Sequence, residues 1–432
     1  MLLRHLQLVD VRSYERATVE FSPGVTILVG PNAQGKTNLL EAVQRVATGG
    51  SHRVSGDGPL VRAGAQIGVI RCQLVTDAGR RRSVELEIGS GRRTRTRVDG
   101  QDVRRAAEAI GVLRVASFAP EDLAIVRGDP RERRTFLDDL LAQRRPAFAA
   151  ARADYDRVLK QRNQLLKQIR SLAGSAREAA VGTIDAWTEQ LVRHGTQILA
   201  ARIAAIRALA APVDDIYRSL ADRPERIGLR YRSSALQQDE PIAGFGESTE
   251  NEPESDQDQL PAVPDPRPIA ESFRAALANV STEERARGLT LVGPHRDDLE
   301  LTIGALPARG YSSHGEAWSL ALALKLATVE VLAEIGDRPV VLLDDVFAEL
   351  DQIRRQRLAD ACADFEQVLV TAAVEADVPL AGAMIDVAIH DGVSTLTLRE
   401  ASDIGGQKDS QTSAPGPGTM GQHPPTQEDV DE

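Results

Sequence analysis

The stretch "GVTILVGPNAQGKTNLLEAVQRVA", residues 24–47, decides the fold class. Its first seven residues are a short, almost continuous apolar run, the pattern of a strand buried on both faces of a sheet. Its last eleven set Leu39, Leu40, Val43 and Val46 at helical spacing. Between them Gly30, Gly35, Lys36 and Thr37 fit G-x-x-x-x-G-K-[ST] without exception. Glycines in such a turn let successive backbone N–H groups point into one concavity, and the helix that follows presents its positive end. Gly30, Pro31, Asn32, Ala33, Gln34, Gly35, Lys36 and Thr37 are therefore expected to cradle the phosphates of ATP. Lys36 would neutralise the β- and γ-phosphates, and the Thr37 hydroxyl would ligate Mg²⁺.

A phosphate loop does not say what the phosphate energy is for, and the choice rests on what accompanies it. "VVLLDD" at 340–345 reads as a buried strand delivering two carboxylates at its end. Asp344 would hold Mg²⁺, and Asp345 would polarise the attacking water. The two halves lie about 300 residues apart, whereas compact kinases and small GTPases keep them close. Before the second half stands "YSSHGEAWSLALALKLA", 311–327, where Ser313 suits a helix cap and Gly315 allows close backbone approach. Alone it reads as an ordinary cap. Two dozen residues before a VVLLDD strand it resembles the signature of ABC-type ATPases, whose serine and helix end meet the γ-phosphate of a nucleotide held by a second subunit. "FAELD", 347–351, then resembles the D-loop of that superfamily, with Asp351 near the dimer interface.

Between the halves the chain reads as helix from about 131 to 222 with a break near "AGSA", then a further helix near 268–286 and strands at 289–303. The expected organisation is an ATPase head split in two, 1–130 and 287–400, with a helical arm lobe at 131–286 inserted between its halves. The fold class is α/β: an ABC-type P-loop ATPase head, a mixed sheet with flanking helices, plus that arm. Residues 236–268 carry nine acids and one arginine, and residues 401–432 carry six acids and one lysine. Both are polar, without period, and are expected to be a disordered acidic linker and tail. They hold most of the net charge of −11; without them the remainder is +2, so the acidity does not exclude nucleic acid. "RRRSVELEIGSGRRTRTRVDGQDVRR", 80–105, has nine arginines against four acids on a probable hairpin, either a solvated strand face or a phosphate-backbone contact. Cys72 and Cys362 lack metal-ligand spacing and read as buried thiols. The apolar run at 319–336 is interrupted by Lys325, Glu330 and Glu334, which argues against a membrane span. With no secretory pattern at the start, a cytoplasmic protein without a membrane partner is expected.

The resemblance then becomes closer than superfamily. "LLRHLQLVDVRSY", "GPNAQGKTNLLEAV", "GSHRVS", "FAPEDLAIVRGDPRERRTFLD", "LVGPHRDDLEL", "YSSHGE" and "VVLLDDVFAELDQIRRQRL" occur in an order and spacing that resemble the RecF recombination-mediator ATPases. The resemblance implies a relative of structural-maintenance-of-chromosome heads with a short arm in place of a long coiled coil. It implies an ATP-induced homodimer that clamps DNA, double-stranded or gapped, with little sequence preference. It further implies slow, DNA-stimulated hydrolysis for release, loading of recombinase with RecR and RecO, and a role in repair, replication and the SOS response. An ABC transporter subunit and a chromosome-organising ATPase are the alternatives. The basic hairpin and long arm argue against the first, and the absence of sustained heptads against the second. The chain departs from the family where a Gln-Gln-Arg run usually follows the signature glycine: Glu316, Ala317 and Trp318 stand there. Thr371 occupies the place of the switch histidine, and no glutamine stands at the Q-loop, for which Glu121 in "FAPEDL" is a candidate. His52 and Arg53 would touch DNA or nucleotide or serve as structural hydrogen-bonding groups; His295, Arg296 and Asp297 would form an ion-paired support beneath the signature helix, ahead of direct catalysis. Arg131, Arg133 and Arg134, at the arm's root, are either phosphate contacts or solvated helix ends.

Overall fold

Strands covered on both faces are apolar along their length, and several such runs meet in one central sheet. The computed structural model describes residues 1–399 apart from 52, 55, 90, 92, 93, 173, 222, 223 and 237–263. The central sheet has the order β15-β14-β3-β13-β12-β8. Its members are β3 (Gly24–Val29), β8 (Val115–Phe118), β12 (Val340–Leu343), β13 (Gln367–Ala372), β14 (Ala383–His390) and β15 (Val393–Leu398). All neighbours pair in parallel except β15, an antiparallel edge. Every residue of β12 and β13 is buried. Parallel register sets the carboxyl end of β12 beside that of β13, and β13 beside β3.

A second sheet lies over one face of the first. It is an antiparallel meander in the order β2-β1-β4-β5-β6-β7. The strands are β1 (Leu2–Val11), β2 (Tyr14–Glu20), β4 (Ile67–Val75), β5 (Arg81–Gly89), β6 (Arg95–Val98) and β7 (Gln101–Asp102). They alternate in burial, as a sheet with one wet face must. Helix α1 (Lys36–Thr48) fills the space between the sheets, in one core with Leu3, Leu28, Ile70, Leu342 and Leu369. The alternate residues Ile27, Val341, Leu343, Val368 and Val370 face the opposite core. The period of two along the strands thus divides the molecule into layers.

The opposite core is helical. It contains α2 (Ala124–Arg127), α3 (Pro130–Arg144), α4 (Pro146–Ile169), α5 (Gly174–Ala221) and α6 (Pro266–Arg287). α7 (Ala308–Tyr311) leads into α8 (His314–Ala333), and α9 (Gln352–Cys362) follows β12. A small sheet, β11-β10-β9, joins them through β9 (Ile227–Arg232), β10 (Asp298–Ile303) and β11 (Leu306–Pro307). α5 lies along both α4 and α8, and Met1–Leu398 form one compact unit. α8 is apolar nearly all round because it is covered on nearly every side, its polar residues being confined to the first turn, Ser319, Lys325, Thr328 and the exposed Glu330. An 18-residue window of α5 is also apolar enough to cross a membrane, but 72% of that window is buried inside the protein, as in a core helix.

Four readings of the sequence need correction. The expected helical stretch at 131–222 has its break before Gly174, near "AGSA" as expected, but it is also broken at Arg145, where Pro146 cannot continue the hydrogen-bond ladder of α3. β9 was not anticipated; its six residues pair only with β10, remote in sequence. The strands expected at 289–303 reduce to β10, since residues 289–297 run as turns. The acidic linker was drawn too long, because Asp265 caps α6, accepting from the Arg267 N–H at 3.0 Å, and Pro266 opens the helix. Asp-Pro is a helix-start signal that the acidic, proline-rich surroundings concealed. The rest of the linker, 237–263, and the tail, 401–432, lie outside the described residues. Cys72 and Cys362 are buried free thiols, and burial pushes each thiol up to about 12.

Candidate nucleotide site

The loop from Gly30 to Gly35 joins β3 to α1 and is held from remote parts of the chain. A Cβ at Gly30 would fall 2.2 Å from the Val387 carbonyl oxygen, so only glycine lets β14 pass. Gly35 has a φ of 110°, and a Cβ there would lie 2.5 Å from Ser394 Oγ. The Tyr14 hydroxyl donates to the Gly35 carbonyl at 3.0 Å, and Ser394 Oγ donates to that of Gln34 at 2.6 Å. Gln34 Oε1 accepts the Ile389 N–H at 2.6 Å. Pro31, Asn32 and Ala33 form the exposed crest. Lys36 is buried, its ammonium donating to the carbonyls of Gly30 at 2.7 Å and Pro31 at 3.1 Å. Sequence reasoning missed Tyr14 and Ser394, and with them Ser13, whose Oγ accepts from Asn38 at 3.0 Å, because nothing local marks a residue that is brought in by sheet pairing.

Thr37 and the two aspartates meet as their strands require. The Thr37 hydroxyl donates to Asp344 Oδ1 at 3.0 Å, joining residues 307 apart in sequence. The same oxygen accepts the Thr371 hydroxyl at 2.6 Å. Thr371 Oγ1 in turn accepts the Asp345 N–H at 2.8 Å. Asp345 sits at φ 49°, and its Oδ1 is buried without a hydrogen-bond partner. A hydroxyl beside a carboxylate suits Mg²⁺, a hard cation that takes one or two protein oxygens and fills its remaining positions with water and phosphate.

The loop after α1 is fastened to it. Glu41 is fully buried, accepting from Arg12 at 2.8 and 2.7 Å and from Ser51 at 2.5 Å. Burial pushes its pKa up, but the bonds from Arg12 and Ser51 outweigh that and hold it below the usual range. Arg53 reaches Asn38 Oδ1 at 3.3 Å; His52 lies outside the described residues. Arg53, Arg131 and Glu121 converge on one cleft of about 510 Å³. Asp122, Glu132 and Asp139 line it too, so it is not a cationic funnel for a nucleic acid.

The signature segment behaves differently. Ser313 is exposed and caps α8 in a reciprocal box: its Oγ accepts the Glu316 N–H at 3.3 Å, and Glu316 Oε2 accepts the Ser313 N–H at 2.8 Å. The departure from Gln-Gln-Arg is thereby accounted for: Glu316 completes the cap, Ala317 is buried, and Trp318 packs edge-on against Phe118 at 5.0 Å. Gly315 lies against the Arg354 guanidinium, 3.0 Å from where a Cβ would be. Asp351 caps α9 and is ion-paired to Arg354 at 2.5 Å; chiefly the Arg354 N–H bond holds its carboxyl below the usual range. Tyr311 and Ile353 are exposed nearby in sequence, at 68% and 65%.

The arginines at the arm's root are neither solvated helix ends nor a free cationic surface, except Arg131, which is exposed. Arg133 is buried and pairs with Asp298 at 2.7 Å, and Arg134 donates to the Asp297 carbonyl at 2.6 Å. The Asp297 carboxylate accepts from Tyr231, Ser233 and Ser234, so it ties β10 to β9. Fully buried Arg202 pairs with Asp138 at 2.8 Å. His295 Nδ1 lies 2.7 Å from the Tyr155 hydroxyl, and burial pushes its pKa down to about 4. Some cations of the basic hairpin are ion-paired within their own sheet. A ladder crosses five strands, in which Arg71 bonds Gln7 and Glu85, Arg97 bonds Glu85 and Asp102, and Arg95 bonds Asp102. With nine arginines against four acids, the stretch 80–105 keeps a net positive charge.

Residues 2–395 match the family described as RecF/RecN/SMC N terminal domain. A protein of Kineococcus radiotolerans named DNA replication and repair protein RecF is 49% identical over 386 residues, 88% of this chain and 95% of that one. The protein of the same name from Frankia alni is 50% identical over 383 residues, again 88% and 95%. Among solved structures, the recombination mediator RecF with ATPrS, described as belonging to the RecFOR pathway, covers 91% of this chain and 98% of its own at 26% identity, with a TM-score of 0.78. An Smc head bound to the C-winged helix domain of ScpA covers 94% of this chain and 99% of its own at 17% identity with a TM-score of 0.51, a likeness of fold alone.

Proposed function

The chain belongs to the RecF family, and on that premise we propose that it is an ATP-dependent DNA-binding protein of recombinational repair and replication restart. The observation that supports it most directly is the 3.0 Å contact between the Thr37 hydroxyl and Asp344, two groups that would share Mg²⁺. In this reading Gly30–Thr37 bind the triphosphate through backbone N–H groups and the Lys36 ammonium, Asp344 helps to hold the cation, and Asp345 orients the attacking water. ATP joins two copies, each lending Ser313, Gly315 and Asp351 to the nucleotide of the other, and the dimer closes on DNA. Hydrolysis is slow and reopens it. Loading of recombinase at single-strand gaps with RecR and RecO, SOS induction and a cytoplasmic setting follow from the same reading. The solved relatives are recombination mediators carrying ATP or ATPrS, which supports the nucleotide.

The test is retention of a fluorescent duplex containing a gap, with and without ATP and Mg²⁺, across a salt series. Retention that requires ATP and falls steeply with salt is expected, since phosphate neutralisation dominates such binding. Equal retention without nucleotide overturns the gating, and no retention at low salt overturns DNA as the partner.

A further inference from the structure

We propose that Thr371 is the positioning residue that locks both aspartates of the nucleotide site, an inference that rests on the ATP reading above. A threonine hydroxyl has one proton to give and lone pairs to accept with. Here the proton goes to Asp344 Oδ1 at 2.6 Å, and a lone pair takes the Asp345 N–H at 2.8 Å. Thr371 is fully buried in β13, between the strand that ends in the phosphate loop and the strand that ends in Asp344. No other position in the sheet has both strands as neighbours at that level.

The two bonds do different work. Asp344 Oδ1 also accepts Thr37, so the two hydroxyls together fix the direction of its carboxylate, as supporting groups fix a metal ligand. Asp345 adopts a left-handed φ of 49°, which an aspartate tolerates but does not prefer, and the bond from its N–H keeps the turn there. The place from which its carboxylate projects is therefore held through the backbone. A threonine in place of the switch histidine is thus not a vacant sensor but a brace between neighbouring residues.

The experiment compares Thr371→Val, which removes the hydroxyl at nearly constant volume, Thr371→Ala and Thr371→Ser in the full chain. Binding of a fluorescent ATP analogue is measured in EDTA and in Mg²⁺, together with steady-state hydrolysis and hydrogen exchange of the 340–350 segment. In the valine and alanine variants, affinity in EDTA should match the parent, because the phosphate loop is untouched. The gain on adding Mg²⁺ and the hydrolysis rate should each fall about 10- to 100-fold, and exchange near Asp345 should accelerate. Serine should restore all three. Parent-like Mg²⁺ gain and exchange in the valine variant, or losses that serine does not rescue, overturn the brace. A parent chain that binds no analogue in either buffer overturns the ATP reading itself.

Discussion

The two halves of the candidate site are built in opposite ways. The phosphate loop, Thr37, Asp344, Asp345 and Thr371 face one another across adjacent strands, with their polar groups largely engaged inside one chain. Ser313 and the Asp351 cap occupy the exposed starts of α8 and α9 and bond only to their own helices or to each other's neighbour Arg354. The first half needs the fold; the second needs only a helix end and a surface. A group placed at an exposed helix N-terminus is available to something outside the chain, which is the physical content of a site completed by a second copy.

Breaking the inner half should give the largest effect. Lys36→Ala removes the one ammonium of the loop and should weaken binding of a fluorescent ATP analogue by about 100-fold or more. An unchanged titration would mean that the loop does not carry the nucleotide. Next comes the pairing of halves. Lys36→Ala and Ser313→Arg chains should each be inactive alone, yet at equal mixing random dimers carry one intact site in half of the pairs. Roughly a quarter of the parent hydrolysis should then return. No recovery at any ratio would confine the site to one chain.

His295, whose partners are Tyr155 and Thr290 and not the signature helix, can be read through pH. His295 is held neutral by burial, its pKa depressed to about 4 from an ordinary 6.5. The unfolded chain binds the proton first as pH falls, so His295 contributes stability above about pH 6.5 that is lost on the way to pH 4. In urea melts, His295→Gln should show a shallower loss across that window than the parent; identical slopes would mean that burial does not hold His295 neutral. The smallest effect on the fold belongs to the outer half. Ser313→Ala should cost about 1 kcal/mol of stability through the lost cap, while hydrolysis falls far more than melting does. A loss of both in proportion would reduce Ser313 to a cap.

Legibility in the sequence followed the same division. The phosphate loop could be read because glycine, lysine and threonine spacing is itself the chemistry, and the Asp344 strand because a fully covered strand is apolar without interruption. The signature was legible as a cap for the same local reason. Thr371 was seen only as a missing histidine, since its two bonds depend on the register of β13 with β12. Arg133 read as a phosphate contact or a solvated helix end, and it is buried with a carboxylate from a distant segment. Composition misled in one place: it stretched the linker over the start of α6.

Local patterns alone therefore determined the phosphate-binding turn, the covered strands and the helix starts, because each depends on backbone geometry within a few residues. The tertiary structure decided which side chains meet. Parallel pairing of β3, β13 and β12 brings together residues about 300 positions apart, and no property of either segment by itself states that distance.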